Sequence, residues 1–576
     1  MRSPRFLPGP CVGRPRRLQR PRRVVLRVEQ LEDRALLSGY AFTALAELGQ
    51  PAPGPEGGQF IFDFETGGLN NQGQVVFTAD LSPDGVSDIG EGVFLGGKGG
   101  LAQIIRVGET APGGGTFGGF GSFSPDTINN SGDAAFGFGQ NPLTFPIGTN
   151  GGVYLFHHSS GMVTAVVTPG VTSAPGGGTF QGALFHPNLN SGGDLVFTGI
   201  VPADIGPGAS IGLGAGIFLA DRNGHLFEIA RPGDPAPGGN TFDFAQNPAI
   251  NNRGDIAFGA HVAADPCITL GQTLPVNIFC AESVYFRDGQ SGAIQSIAHQ
   301  GTTIPDSAGG GTFDYAYAPV LNSRGQILFD AGLAGTSALF NGSTIDSQAI
   351  FLDSNGSLVA IARQGDSMPG GGKLVSASFN AGNYGINETG DVAFNALLDN
   401  GKEGVFLWSH GSLSPIAETG VVIPGVGTID KLDEYGTGLP NSWVDINDQG
   451  QVAFAAVLTD GNVALLLATP TGQGADGNRA ASLAALLPAP LPVGAAPNAL
   501  LVLALQGAGG QSTAGVGTGR AIADQPAPSH PGVLTVHDVN SVALPTLSAG
   551  VQETETSAPD YLFAALPASG LDEPLR

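Results

Sequence analysis

The chain has 576 residues with 24 Lys and Arg against 49 Asp and Glu, a formal net charge of −25, and ten of the basic residues are arginines between Arg2 and Arg34. Beyond that leader the chain is strongly acidic and repels phosphate backbones and anionic lipid, so no nucleic-acid partner is expected for the main body. With 92 Gly, 42 Pro and 33 Phe but only 13% charged residues, many short strands joined by tight turns are expected rather than long amphipathic helices.

Residues 1–39 form a basic, Arg- and Pro-rich leader without an uninterrupted apolar core of signal-peptide length. The leader ends in LEDRALLS, Leu31 to Ser38, which resembles the LExR-x-LLS sorting segment near the N-terminus of many large exported bacterial proteins. That resemblance implies a place in the cell envelope or outside the cell; an ordinary disordered leader is the other reading.

From there to about residue 470 one phrase recurs, N-x-x-G-x-x-x-F. It starts at Asn70, Asn129, Asn190, Asn251, Asn322, Asn387 and Asn447, with its glycines at Gly73, Gly132, Gly193, Gly254, Gly325, Gly390 and Gly450. The Asn side chain can hold the backbone two residues on, and Gly in the fourth place supplies a positive φ, so the phrase predicts a tight reversal. The segment that follows, such as DIAF or QVAF, is β-branched and aromatic with little polar alternation, as in a strand buried on both faces. Phe77, Phe136, Phe197, Phe258, Phe329, Phe394 and Phe454 are its expected core residues.

Three further segments complete each unit. A GVFL-like strand follows the turn strand, then an IARxGD-like strand leading into a Gly- and Pro-rich loop, then a segment of mixed polarity before the next Asn. Four short antiparallel strands repeated seven times predict an all-β fold, a seven-bladed β-propeller over residues 40–470. The chain enters on the IARxGD-like phrase, at Leu45, and leaves the repeat on the GVFL-like one near Leu467. An N-terminal strand is therefore expected to complete the last blade and close the ring.

On these repeats the chain resembles the bacterial NxxGxxAF tandem-repeat proteins, exported proteins of the choice-of-anchor class. Several copies depart from the pattern by placing Val or Leu before the Phe, or lack the Ala. The resemblance implies a secreted or surface-held propeller and brings no activity, cofactor or catalytic residue.

Cys267 and Cys280 flank a long insertion in the fourth unit; a loop-closing disulfide and two free thiols are both open. Residues 471–576 turn to Ala, Pro, Gly and Leu, with apolar runs broken by prolines before they reach membrane-spanning length, and are expected to be a mostly disordered tail. No metal or cofactor signature occurs: the Asp that often follows the turn glycine is replaced by Gln in other copies and supplies one carboxylate per unit. A monomer is expected.

Because the repeated positions build the scaffold, a site is sought where the copies differ. In the segment before each turn these are Asp126, His186, Asn247, Asn383, Trp443 and Asp445, expected to face the central channel. The reading is an exported scaffold that binds a protein or a glycan; the alternative is an extracellular hydrolase or lyase using Asp126, His186 and Asp445 in the channel.

Overall fold

Each repeat turn is built around one amide. In the fourth, Asn251 Oδ1 accepts the backbone N–H groups of Arg253 at 2.9 Å and Asp255 at 3.0 Å, and Gly254 takes φ 78° to let the chain reverse. The same pair of bonds and a positive φ recur at the other six turns, for example at Asn70 with Gly73 at 72° and at Asn447 with Gly450 at 72°.

The chain divides into two units, Met1–Ser482 and Leu483–Arg576. The computed structural model describes residues 39–471 except 56, 84, 86–89, 119–120, 141–150, 184–186, 202–213, 264, 266, 269–278, 281, 306–309, 336–347, 378–383 and 433–442. Among them are seven antiparallel sheets, the blades of a seven-bladed β-propeller. Blade 4 is typical: Phe242–Ile250 is innermost, followed outward by Ile256–Val262, Ser283–Arg287 and Ile294–Ala298. Blades 1, 2 and 5 follow the same order from the inner strands Gln59–Leu69, Gly121–Ile128 and Thr312–Leu321.

In blades 3, 6 and 7 the described parts of the innermost strand are Gly182–Ala183 and Asn188–Leu189, Leu374–Ser376 and Tyr384–Ile386, and Gly427–Lys431 and Asp445–Ile446. In blade 7 both parts pair with Val452–Leu458.

The N-terminal strand Tyr40–Glu47 lies outermost in blade 7, antiparallel to Val463–Pro470 from Tyr40 opposite Pro470 to Glu47 opposite Ala464. The ring is thus closed as the sequence predicts, by the first strand of the chain completing the last blade. Closure removes the exposed edge that Val463–Pro470 would otherwise present.

The turn-strand phenylalanines are fully buried in every blade. In six of the seven they face an aromatic ring directly across in the third strand, as in Phe77 with Phe94 at 5.6 Å and Phe258 with Tyr285 at 5.8 Å. The apolar clusters join neighbours: Val196 and Ile217 of blade 3 pack with Phe242 and Phe258 of blade 4. Neither face of a middle strand meets water, which is why these strands lack polar alternation.

The Asn turns gather on one face of the ring, the turn face. The second and third strands of each blade are joined at the opposite end, in sequence by residues 83–90, 141–151, 201–214, 263–282 and 335–347 in blades 1 to 5, against 399–402 and 459–462 in blades 6 and 7.

Candidate functional site

The turn face is sealed by its own hydrogen bonds. Each repeat Asn donates one Nδ2 hydrogen to the backbone oxygen of the next repeat Asn, at 2.9–3.4 Å around all seven blades, and Asn447 to Asn70 closes the circle at 2.9 Å. The second hydrogen goes to the side chain four residues on, Asp255 for Asn251 at 2.9 Å and Gln74 for Asn70 at 2.8 Å. That side chain also bonds the third-strand end or the hairpin beyond it, Asp255 Oδ1 accepting the Gly289 amide at 2.9 Å and Gln326 Nε2 donating to Ser354 at 3.0 Å, so Asp and Gln each match a different neighbour. A further layer surrounds the mouth, with Asn71 bonded to Asp448 at 2.6 Å and the Glu388 amide donating to Asp448 at 2.9 Å.

Behind this ring the innermost strands enclose a channel cavity of ≈ 220 Å³, lined among others by Asn188, Asn247, Ala318, Tyr384, Trp443 and Asp445. Three sequence candidates, Asn247, Trp443 and Asp445, are therefore brought together there. Thr66, at the equivalent place in blade 1, is buried instead and donates to the Trp443 carbonyl at 3.0 Å. Asp126 sits at a bulge of the inner strand of blade 2, between Pro125 and Thr127, with its side chain outside the described residues. His186 and Asn383 also lie outside them.

Asp445 has a structural task. Its Oδ2 accepts the Leu69 amide of blade 1 at 2.7 Å and its Oδ1 the Ile446 amide at 2.8 Å, which ties the last blade to the first. Thr127 and Asn188 do the same for their neighbours, accepting the Leu189 and Ile250 amides at 2.9 and 3.0 Å. Burial pushes the Asp445 carboxyl up to about 6, against the two amide bonds that favour its charge.

The wall of blades 4 to 6 holds a polar cluster that the sequence reading missed. Glu282, just before the third strand of blade 4, accepts Gln246 Nε2 at 2.6 Å on one carboxylate oxygen, and its other oxygen is buried without a partner among the described residues. Burial raises this carboxyl to about 7. Asp330, 1% exposed in the second strand of blade 5, is held well above the usual carboxylate range by burial, against bonds from the Ala331 amide and the Tyr317 side chain that favour its charge. Tyr317 lies directly across the strand pair from it. The Tyr384 hydroxyl donates to the Ala318 carbonyl at 2.6 Å and accepts the Asp330 amide at 3.1 Å.

One signal for this cluster was present in the chain. Asp330 stands eight residues after its repeat Asn, where the other copies have Thr78, Gly137, Thr198, Gly259, Asn395 and Ala455. It is the one carboxylate at a position buried in the blade.

At the foot of the fourth-unit insertion, His261 Nδ1 lies 3.3 Å from Asp243 and His299 Nε2 3.2 Å from Asp265. Above them Cys267–Ile268 pairs with Phe279–Cys280 as a small hairpin, with Cys267 directly opposite Cys280. The insertion is therefore partly strand rather than all loop. Among the described residues no three His, Cys, Asp or Glu side chains could together hold a metal ion, and no helix is long and apolar enough to cross a membrane.

Comparison with solved structures returns low-identity likenesses in fold. An oligogalacturonate lyase from Vibrio parahaemolyticus is 12% identical, over 75% of this chain and 97% of that one, with TM-score 0.39. The β-propeller domain of the Trilobed protease from Pyrococcus furiosus, described as having an open velcro topology, is 10% identical over 70% and 95%, with TM-score 0.37. A sialidase from Trypanosoma rangeli is 9% identical over 76% and 60%, with TM-score 0.34. No curated protein matches in sequence. A family model matches twice, over residues 38–273 and 269–465, which together span the whole ring. The chain belongs to this family, the family of unknown function DUF7453.

Proposed function

We propose that this protein is an exported scaffold that binds a protein or glycan partner on the face opposite the Asn turns. The observation that carries the reading is the contrast between the two faces. On the turn face seven near-identical turns spend their amides on one another, leaving a uniform surface. On the opposite face the connections differ in length from blade to blade, from 399–402 up to 263–282. Variable segments on a rigid frame are where recognition is normally placed.

A strained aromatic supports the same face. Phe62, in the half of its strand that begins at the connection face, takes φ 69° at a bulge between Ile61 and Phe64 and is 61% exposed. A bulky residue in that conformation costs about 1–3 kcal/mol, a strain that tends to persist where a side chain is displayed for contact.

The test is binding of the full chain to glycan and envelope-protein panels, comparing a variant whose 263–282 connection is cut to the length of 399–402 with an Asn71→Ala variant on the turn face. At least a tenfold loss in the first and none in the second is expected. The reverse ranking would overturn the proposal.

A further inference from the structure

The cluster in the wall of blades 4 to 6 carries negative groups and no counter-charge among the described residues. Tyr317 stands at its centre: the groups acting on it are Asp330 of its own blade, Tyr315 two residues earlier, Tyr384 of blade 6 and Glu282 of blade 4. Tyr315 and Tyr317 share one face of their strand with ring centroids 5.8 Å apart, and Gly332 leaves the room that the Tyr315 ring fills. Gly259, the blade 4 equivalent of Asp330, likewise leaves room for the Glu282 carboxyl. The Glu282 carbonyl accepts the Ala316 amide, which holds the two blades in register at this point.

No Lys, Arg or His lies among the described residues that line the channel, from its central cavity to the turn-face mouth, while Glu388, Asp445 and Asp448 do. An anion entering the channel from that mouth meets only like charge among the described residues, and of the cluster Tyr384 lines the cavity itself. One buried carboxylate oxygen of Glu282 has no hydrogen bond among the described residues, and the Asp330 carboxyl, whose neighbours are the Tyr317 side chain and the Ala331 amide, makes none of full geometry. Leaving such groups unpaired costs free energy that a pair of apolar side chains would avoid. A ligand that brings positive charge together with N–H donors relieves both deficits, and the tyrosine rings add a favourable face for a cation.

We propose that Glu282 and Asp330, with Tyr317 and Tyr384, form a receptor for a primary ammonium group of a ligand that enters from the connection face. The proposal rests on the reading that this is the binding face and names the chemistry recognised there. Tyr317 is partly exposed and marks the entrance, because Asp330 and Tyr384 behind it are buried. Binding must ionise whichever of the two acids is protonated, so protons leave as the ammonium arrives; nothing else is transferred. The ionisable groups facing the seat are Glu282, Asp330, Tyr315, Tyr317 and Tyr384, and burial raises both acids toward neutrality.

The test is titration calorimetry of the full chain at pH 6.5 with putrescine, choline and methyl glucoside, each in two buffers of different ionisation enthalpy. Putrescine is expected to bind with proton release, and choline, which has no N–H to donate, at least tenfold more weakly. Asp330→Asn and Glu282→Gln should each weaken putrescine at least tenfold and reduce the proton release while leaving the melting temperature unchanged or higher. A merely structural acid would instead lower the melting temperature. Putrescine that fails to bind, binds without proton release, or binds equally to both variants would overturn the inference. So would choline binding as tightly as putrescine. Methyl glucoside binding alone would also sink it while leaving the binding-scaffold reading intact.

Discussion

Replacing Asn251 by Ala tests whether the ring of amides holds the propeller together. The Asn251 side chain is 3% exposed and makes four hydrogen bonds: it donates to Asp255 Oδ2 at 2.9 Å and to the Asn322 carbonyl at 3.0 Å, and accepts the Arg253 and Asp255 amides at 2.9 and 3.0 Å. Truncation leaves the Arg253 and Asp255 amides and the Asn322 carbonyl without this partner. At about 1–3 kcal/mol per orphaned buried group, moderated by water entering at the mouth, the expected loss is about 3–5 kcal/mol. Asn251→Asp keeps the two acceptors, loses both donors and sets a second carboxylate against Asp255. In the native turn burial works against the charge of Asp255, yet bonds from Gly289, Asn251 and Arg253 hold it below the usual range; the variant removes the Asn251 bond and leaves those from Gly289 and Arg253 to favour its charge beside the new carboxylate. That variant should be at least as damaging near pH 7 and milder in acid. Urea unfolding of the full chain followed by tryptophan fluorescence reads the loss, or the unfolding rate does if refolding fails. Asn252→Ala, one residue on and exposed, loses only the exposed bond it accepts from the Ser191 amide at 2.8 Å; it is the control and should cost no more than about 1 kcal/mol. A loss below about 1 kcal/mol for Asn251→Ala, or one equal to the control, would refute the argument.

Deleting residues 1–47 removes the outer strand of blade 7 and bares the edge of Val463–Pro470; the melting temperature should fall sharply and aggregation rise, whereas ending the chain at 471 should change neither. Glu282, Asp330 and Asp445 have folded-state pKa values above their unfolded ones, to about 7, well above the usual range and to about 6. The contributions of Glu282 and Asp445 are present below pH about 4 and are lost as pH rises through about 7 and about 6, and that of Asp330 falls in the same direction, so a Glu282→Gln, Asp330→Asn double variant should flatten the melting curve between pH 5 and 7.5, and an unchanged slope would contradict the assignment. Phe62→Gly should raise the melting temperature by relieving a positive φ and lower partner affinity; a lower melting temperature would show that the residue is not strained. Cys267 and Cys280 face each other across a strand pair, and non-reduced peptide mapping of protein recovered outside the cell should find them bridged; free thiols at both positions would exclude it.

What could be read from the chain alone was everything set by local chemistry repeated in phase. An Asn and a Gly three residues apart specify a turn wherever they occur, a Phe four residues further is buried because the strand after the turn has no polar face, and the offset between the first and last phrases places the N-terminal strand in blade 7. The bond from Asp445 to blade 1 and the closed circle of Asn amides were not legible, because each depends on which backbone groups meet after the ring has formed. Asn447 and Asn70 are 377 residues apart and touch only through closure. The polar cluster is the extreme case. Glu282, Asp330 and Tyr384 belong to three blades and to different places in their repeats, so no spacing links them. Only the packing of the blades puts their side chains in one low-dielectric space, where burial of an acid favours its protonated form and makes it a candidate for binding.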